Sequence, residues 1–114
     1  MNNLTVFTEK GQQLVDSREV ASLIKKDHSK LLRDIRVYCE YLIESNFGLN
    51  EFFIESSYKD TIGRELSCYL LTRKGCELVA NKLTGRKGVV FTAKYVEAFE
   101  KMHKLITEGN KLIP

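Results

Sequence analysis

The stretch Asp16-Ser17-Arg18-Glu19-Val20-Ala21-Ser22-Leu23-Ile24-Lys25-Lys26-Asp27-His28-Ser29-Lys30-Leu31-Leu32-Arg33-Asp34-Ile35-Arg36 holds two helical patterns separated by a short polar break. Asp16 is an acidic N-cap with Glu19 three residues later, the spacing of a capping box. Val20, Ala21, Leu23 and Ile24 follow at helical spacing, which predicts a first helix over 17–25. Lys25-Lys26-Asp27-His28-Ser29 contains two candidate N-caps, Asp27 and Ser29. A second helix is predicted over 29–45, because Leu31, Ile35, Tyr38 and Leu42 recur on one stripe that Leu32 and Cys39 widen. Two helices this close form a helix-turn-helix pattern.

On the N-terminal side, residues 4–7 and 12–15 read as two short strands with a turn at Lys10-Gly11. On the C-terminal side, Gly48 and Asn50 end the second helix. Strands at 52–58 and 65–71 follow, with a hairpin tip over 59–64 in which Gly63 supplies a positive φ. Thr72 looks like the N-cap of a third helix over 73–83, closed by Gly85. Phe91, Tyr95, Ala98, Phe99, Met102, Leu105 and Ile106 form the apolar stripe of a last helix over 90–108, ended by Gly109. A hairpin directly after a helix-turn-helix is the winged-helix order. The expected fold is therefore α+β: a winged helix-turn-helix-like domain with a small antiparallel β-sheet and a long C-terminal helix, one domain over 1–114.

Composition narrows the function classes. At 114 residues and 43% hydrophobic, the chain has the size and balance of one ordinary globular domain. No apolar run approaches the roughly 20 residues that cross a bilayer, so no membrane partner is expected. The N-terminus lacks the basic start and apolar core of a leader. Cys39, Cys68 and Cys76 are an odd set with no Cys-x-x-Cys spacing, which points to reduced thiols and a cytoplasmic setting. The net charge of +3 is unevenly spread. Residues 22–36 carry a surplus of three cations, residues 82–88 another surplus of three with no acid, and the remainder nets −3. Two basic segments on a slightly acidic background suit a polyanion.

On the second helix, Ser29, Arg33, Arg36 and Glu40 lie opposite the apolar stripe, with Lys30 and Val37 on one shoulder. A hydroxyl and three cations on the solvent side of a helix's first turns are what a recognition helix needs. Arg reaches guanine edges bidentately in the major groove, and Lys30 and the first-turn N–H groups meet phosphate. The competing reading is a solvated face, with Arg33 paired to Glu40 or Asp34. Lys26, His28, Ser29, Lys30, Arg33 and Arg36 are the candidate DNA contacts of this unit. Ser57, Lys59 and Arg64 near the hairpin tip and Arg86 and Lys87 before the last helix complete the set. Glu55, Asp60 and Glu65 weaken the tip's claim. No zinc spacing, phosphate loop or catalytic constellation is present, so no metal, cofactor or catalytic residue is expected and the chain does not read as an enzyme.

The blocks Val15-Asp16-Ser17-Arg18-Glu19-Val20-Ala21 and His28-Ser29-Lys30-Leu31-Leu32-Arg33-Asp34-Ile35-Arg36 resemble the Rha family of phage regulatory proteins. So do Phe52–Asp60 with Gly63-Arg64, Cys68–Gly75, and Leu83–Gly88 with Phe91–Tyr95 and Ala98-Phe99. The resemblance covers about residues 14–103. It implies a prophage-encoded transcriptional regulator or antirepressor, with a winged-helix-like DNA-binding module, at work in a bacterial cytoplasm on the nucleoid. Longer relatives carry a second domain, so the chain is either a short member or an N-terminal fragment. Lys25 departs from the pattern, since similar proteins usually carry Gly there; a left-handed turn would cost Lys roughly 1 kcal/mol. Double-stranded DNA is the expected partner, with a homodimer through residues 90–108 as a further expectation. The alternative partner is a repressor or other host protein, bound without DNA.

Overall fold

The computed structural model describes residues 4–112, with side chains through 107. Four strands and four helices follow in the order β1 (Phe7–Glu9), β2 (Gln12–Asp16), α1 (Ser17–Leu23), α2 (His28–Glu44), β3 (Phe53–Lys59), β4 (Glu65–Leu71), α3 (Arg73–Asn81) and α4 (Gly85–Leu112). A single 3₁₀ turn at Leu49–Glu51 leads into β3. The strands form one antiparallel sheet in the order β1-β2-β4-β3. The α+β class, the small antiparallel sheet and the long last helix are thus as the sequence suggests.

Both hairpins are set by local chemistry. Lys10 (φ 51°) and Gly11 (φ 81°) are both left-handed, the two-residue turn that matches strand twist and puts Phe7 opposite Leu14. Pairing stops at Phe7, so the strand expected over 4–7 is shifted to 7–9. Leu4 and Val6 instead bury into the core, while the Thr5 N–H donates to Glu19 Oε1 at 2.7 Å. That bond also revises the capping box. Asp16 does cap α1, accepting the Arg18 N–H at 2.8 Å, but Glu19 holds the N-terminal segment.

The turn between α1 and α2 closes through a Schellman motif. The Lys26 N–H donates to the Ala21 carbonyl (3.0 Å) and the Lys25 N–H to that of Ser22 (3.3 Å). This arrangement requires a left-handed residue after the C-cap, and Lys25 takes it at φ 56°. The same motif ends α2, where Asn46 stands at φ 64° and the Phe47 N–H reaches the Leu42 carbonyl at 2.9 Å. Asn tolerates that conformation; Lys does so at a cost.

The core lies between the sheet and the helices. Phe53, Phe91, Leu14, Leu31, Ile35 and Leu71 are its largest fully enclosed side chains. The α2 stripe is inward as expected, except that Tyr38 is half-buried. Cys39, Cys68 and Cys76 are all buried, and none forms a disulfide. Thr72 caps α3 by accepting the Gly75 N–H at 3.1 Å. Gly75 is required by contact: a Cβ there would stand 2.2 Å from the Phe52 carbonyl oxygen.

The last helix is longer than its pattern. It begins at Gly85 rather than residue 90, and runs through Gly109 to Leu112. Gly85 therefore opens α4 instead of closing α3, whose C-cap is Lys82. Gly88, between the helices expected over 73–83 and 90–108, lies inside α4. A Cβ there would lie 3.2 Å from the Leu83 carbonyl oxygen, and the Thr92 hydroxyl donates to the Gly88 carbonyl at 2.7 Å. Twenty-eight residues make a rod of about 42 Å, close to the longest dimension of the molecule, 47 Å. No described helix is long and apolar enough to cross a membrane.

Candidate nucleic-acid interface

The sheet places the second hairpin beside the first turn of α2. Ser17, fully buried at the start of α1, joins three elements. Its hydroxyl accepts the β4 Tyr69 N–H at 3.0 Å and lies 2.8 Å from His28 Nε2 at the start of α2. The His28 ring is 6.3 Å from that of Tyr58 on β3, and the Arg18 guanidinium stacks 3.8 Å from the Tyr58 ring centroid. Arg18 is itself fixed by two bonds to Asp16, at 3.1 and 2.8 Å. The N-terminus of α2 and the outer part of the hairpin therefore meet across one junction.

Burial is the main influence on His28 and pushes its pKa down from the ordinary 6.5; Asp16 opposes this and Arg18 adds to it. The ring is accordingly neutral at neutral pH. Asp16 is held below the usual carboxylate range: burial opposes this, and the Arg18 side chain and N–H together outweigh it. His28, expected among the DNA contacts, thus serves first as a link between α1, β4 and α2.

The remaining candidates fall into three groups. The first is the exposed face of α2, where Ser29, Lys30, Arg33 and Arg36 are all exposed. Neither Arg33 nor Arg36 makes an ion pair among the described residues, so the alternative pairing of Arg33 with Glu40 or Asp34 is absent. Asp34 is taken by Lys26, whose Nζ is in tight contact with Asp34 Oδ2. Lys30 stands 3.9 Å from Asp27, a loose pair between two exposed groups.

The second group is the hairpin tip, and its polar groups bond one another. Arg64 Nε donates to Asp60 Oδ2 at 2.8 Å, and Asp60 Oδ1 accepts the N–H groups of Ile62 and Arg64. These bonds hold the Asp60 carboxyl below its ordinary pKa. The Ser57 hydroxyl donates to Glu65 at 2.8 Å. Lys59 is exposed.

The third group is away from the tip. Arg86 and Lys87, in the first turn of α4, line a cleft with Lys25 of the α1–α2 turn. Sequence reasoning left out Arg18, Tyr58 and Lys25. Arg18 and Tyr58 flank chosen residues, but only the tertiary fold stacks them. Lys25 was visible as a departure at the turn and as one cation of the basic stretch 22–36, but not as a contact. Among the described residues no group of His, Cys, Asp and Glu could hold a metal ion.

The family model described as phage regulatory protein Rha matches residues 15–104. The chain is 53% identical over 96% of its length to the "SPbeta prophage-derived putative antirepressor protein YoqD" of Bacillus subtilis (strain 168). It is 32% identical over 92% of its length to an uncharacterized protein of Haemophilus influenzae. The chain spans 44% of the first relative and 61% of the second. No solved structure matches.

Proposed function

Because the chain belongs to the Rha family of phage regulatory proteins, we propose that it is a DNA-binding regulator of winged-helix type that reads a sequence with α2. The observation that carries this reading is the exposed α2 face, on which Ser29, Lys30, Arg33 and Arg36 stand together and both arginines lack an acidic partner among the described residues. Arginines so placed suit the guanine edge of a major groove, and the first-turn N–H groups suit phosphate. In this reading the hairpin, whose Tyr58 lies near His28 at the α2 N-terminus, would act as the wing. No enzymatic step is assigned.

A second copy of the chain is the natural partner of the outer part of α4. The buried stripe of Phe91, Tyr95 and Phe99 continues outward as Met102, Leu105 and Ile106, and the last two are 58% and 41% exposed. A two-fold dimer would suit two half-sites. Residue 108, the last of the stretch assigned to this contact, lies outside the residues whose side chains are described.

The name of the Bacillus subtilis relative favours a second reading, an antirepressor that captures a repressor protein. Exposed Tyr41 and Phe47 near the end of α2 would serve such a contact. Binding to fragments of host and phage genome, at two salt concentrations and beside Arg33→Ala/Arg36→Ala, decides between them. The DNA reading expects one enriched sequence, lost in the double variant, and affinity that falls steeply with salt. Absence of DNA binding at low salt would leave the antirepressor reading.

A further inference from the structure

Several cations have acidic partners: Arg18 pairs with Asp16, Lys26 with Asp34, Arg64 with Asp60, and Lys74 with Glu51. Another set gathers where no acid faces it. A cleft of about 400 Å³ lies between the α1–α2 turn and the first turns of α4. Lys25, Arg86, Lys87 and Lys94 line it, over a floor that includes Leu23 and Phe91, and no acidic residue lines it. Lys25, Arg86 and Lys87 make no ion pair among the described residues. Three exposed cations from two separate elements line one concavity, a surface whose charge suits an anion.

The place of the cleft says which anion. Lys25 is three residues before His28, the first residue of α2, and the chain between them is a tight turn. The cleft is therefore next to the end of the helix proposed to enter a groove. The backbone that borders a groove is a row of phosphates, and contacts to it fix a protein's register on the duplex.

We propose that this cleft, through Lys25, Arg86 and Lys87, is a clamp for a phosphate of the DNA backbone flanking the groove read by α2. This rests on the DNA reading above and adds to it a second contact, independent of the hairpin. It also gives a use to a lysine in a left-handed turn, where glycine would be easier.

The conformation of Lys25 supplies the test. Lys25→Gly removes the charge and at the same time fits φ 56° without steric conflict. Folding and binding should therefore move in opposite directions. The full chain is titrated with a mixed-sequence DNA duplex over a range of salt concentrations, and melting temperature is measured in parallel. Lys25→Gly should melt higher than the wild type, bind more weakly, and lower the log–log salt slope by about 0.9; Arg86→Ala/Lys87→Ala should lower it by about 1.8. The loss should be equal on preferred and random duplexes, whereas Arg33→Ala/Arg36→Ala removes the preference. An unchanged slope in both cleft variants, with wild-type binding intact, would overturn the clamp and leave α2 as the reading head. A Lys25→Gly protein that melts lower than wild type would make Lys25 a structural residue and overturn it too. Failure of the wild type to bind any duplex would remove both proposals. Displacement of the duplex by polyglutamate at lower concentration than by a second duplex would assign the cleft to an acidic protein instead.

Discussion

The exposed face of α2 and the tip of the second hairpin look alike as strings of residues. Each holds hydroxyl and cationic side chains next to acids. Folded, they differ. At the tip, Asp60 accepts from Arg64 and from two backbone N–H groups, and Glu65 accepts from Ser57. On α2, Asp34 is turned to Lys26 behind it, and Arg33 and Arg36 stay unpaired. An acid next to a cation in sequence neutralises it only if the backbone aims the two together. A turn bends Asp60 onto Arg64; a helix carries Asp34 and Arg33 about 100° apart.

The largest effect expected from this contrast is on DNA recognition. Arg33→Ala/Arg36→Ala should weaken binding to a preferred duplex by about thirtyfold or more, since each bidentate arginine discriminates by roughly 1–3 kcal/mol. A selection experiment that returned the same sequence for wild type and variant would break the contrast. The hairpin's root is a different matter from its tip. Gly75→Ala drives a methyl group into the Phe52 carbonyl and should cost about 1–3 kcal/mol in chemical denaturation. If the hairpin is chiefly scaffold, the folded fraction of that variant keeps the wild-type sequence preference.

The junction between the two regions should respond to pH. His28 has a folded pKa below its ordinary 6.5, so the unfolded chain binds the proton more readily. The stability it contributes is complete above about 6.5 and is lost as pH falls through 6.5 toward the folded value. Asp16, also depressed, acts the same way in a lower window, losing its contribution as pH falls below its ordinary 3.8. Melting curves should shift down between neutral pH and mild acid, and His28→Asn should flatten that segment; an equal slope in the variant would show that other groups carry it. The smallest effect belongs to the tip. Arg64→Ala should change DNA affinity by less than about threefold, as expected for an exposed pair whose charges already cancel. A larger drop in titrations at low salt would make the tip a true contact and erase the contrast.

Much of the fold was legible because its signals are local. The i, i+4 stripe from Leu31 to Leu42, the Thr72 cap and the Lys10-Gly11 turn act within a few residues, and the structure keeps each. Where expectation and structure part, a long-range contact intervenes. Glu19 leaves its capping box for Thr5. Leu4 and Val6 leave strand pairing for the core. The candidate site divides in the same way. Periodicity alone put Ser29, Arg33 and Arg36 on the outer face of α2, and composition alone marked residues 82–88 as basic.

What the sequence by itself determined is therefore which elements form, which face of each is apolar, and the family to which the chain belongs. These depend on residue spacing and short-range hydrogen bonds. Only the tertiary structure decided which charges remain free. His28 faces Ser17, Arg64 is spent on Asp60, and Lys25, Arg86 and Lys87 are gathered at one cleft from segments some sixty residues apart. Coulomb energy depends on distance in space and on the dielectric between the groups, and neither is a property of position along the chain.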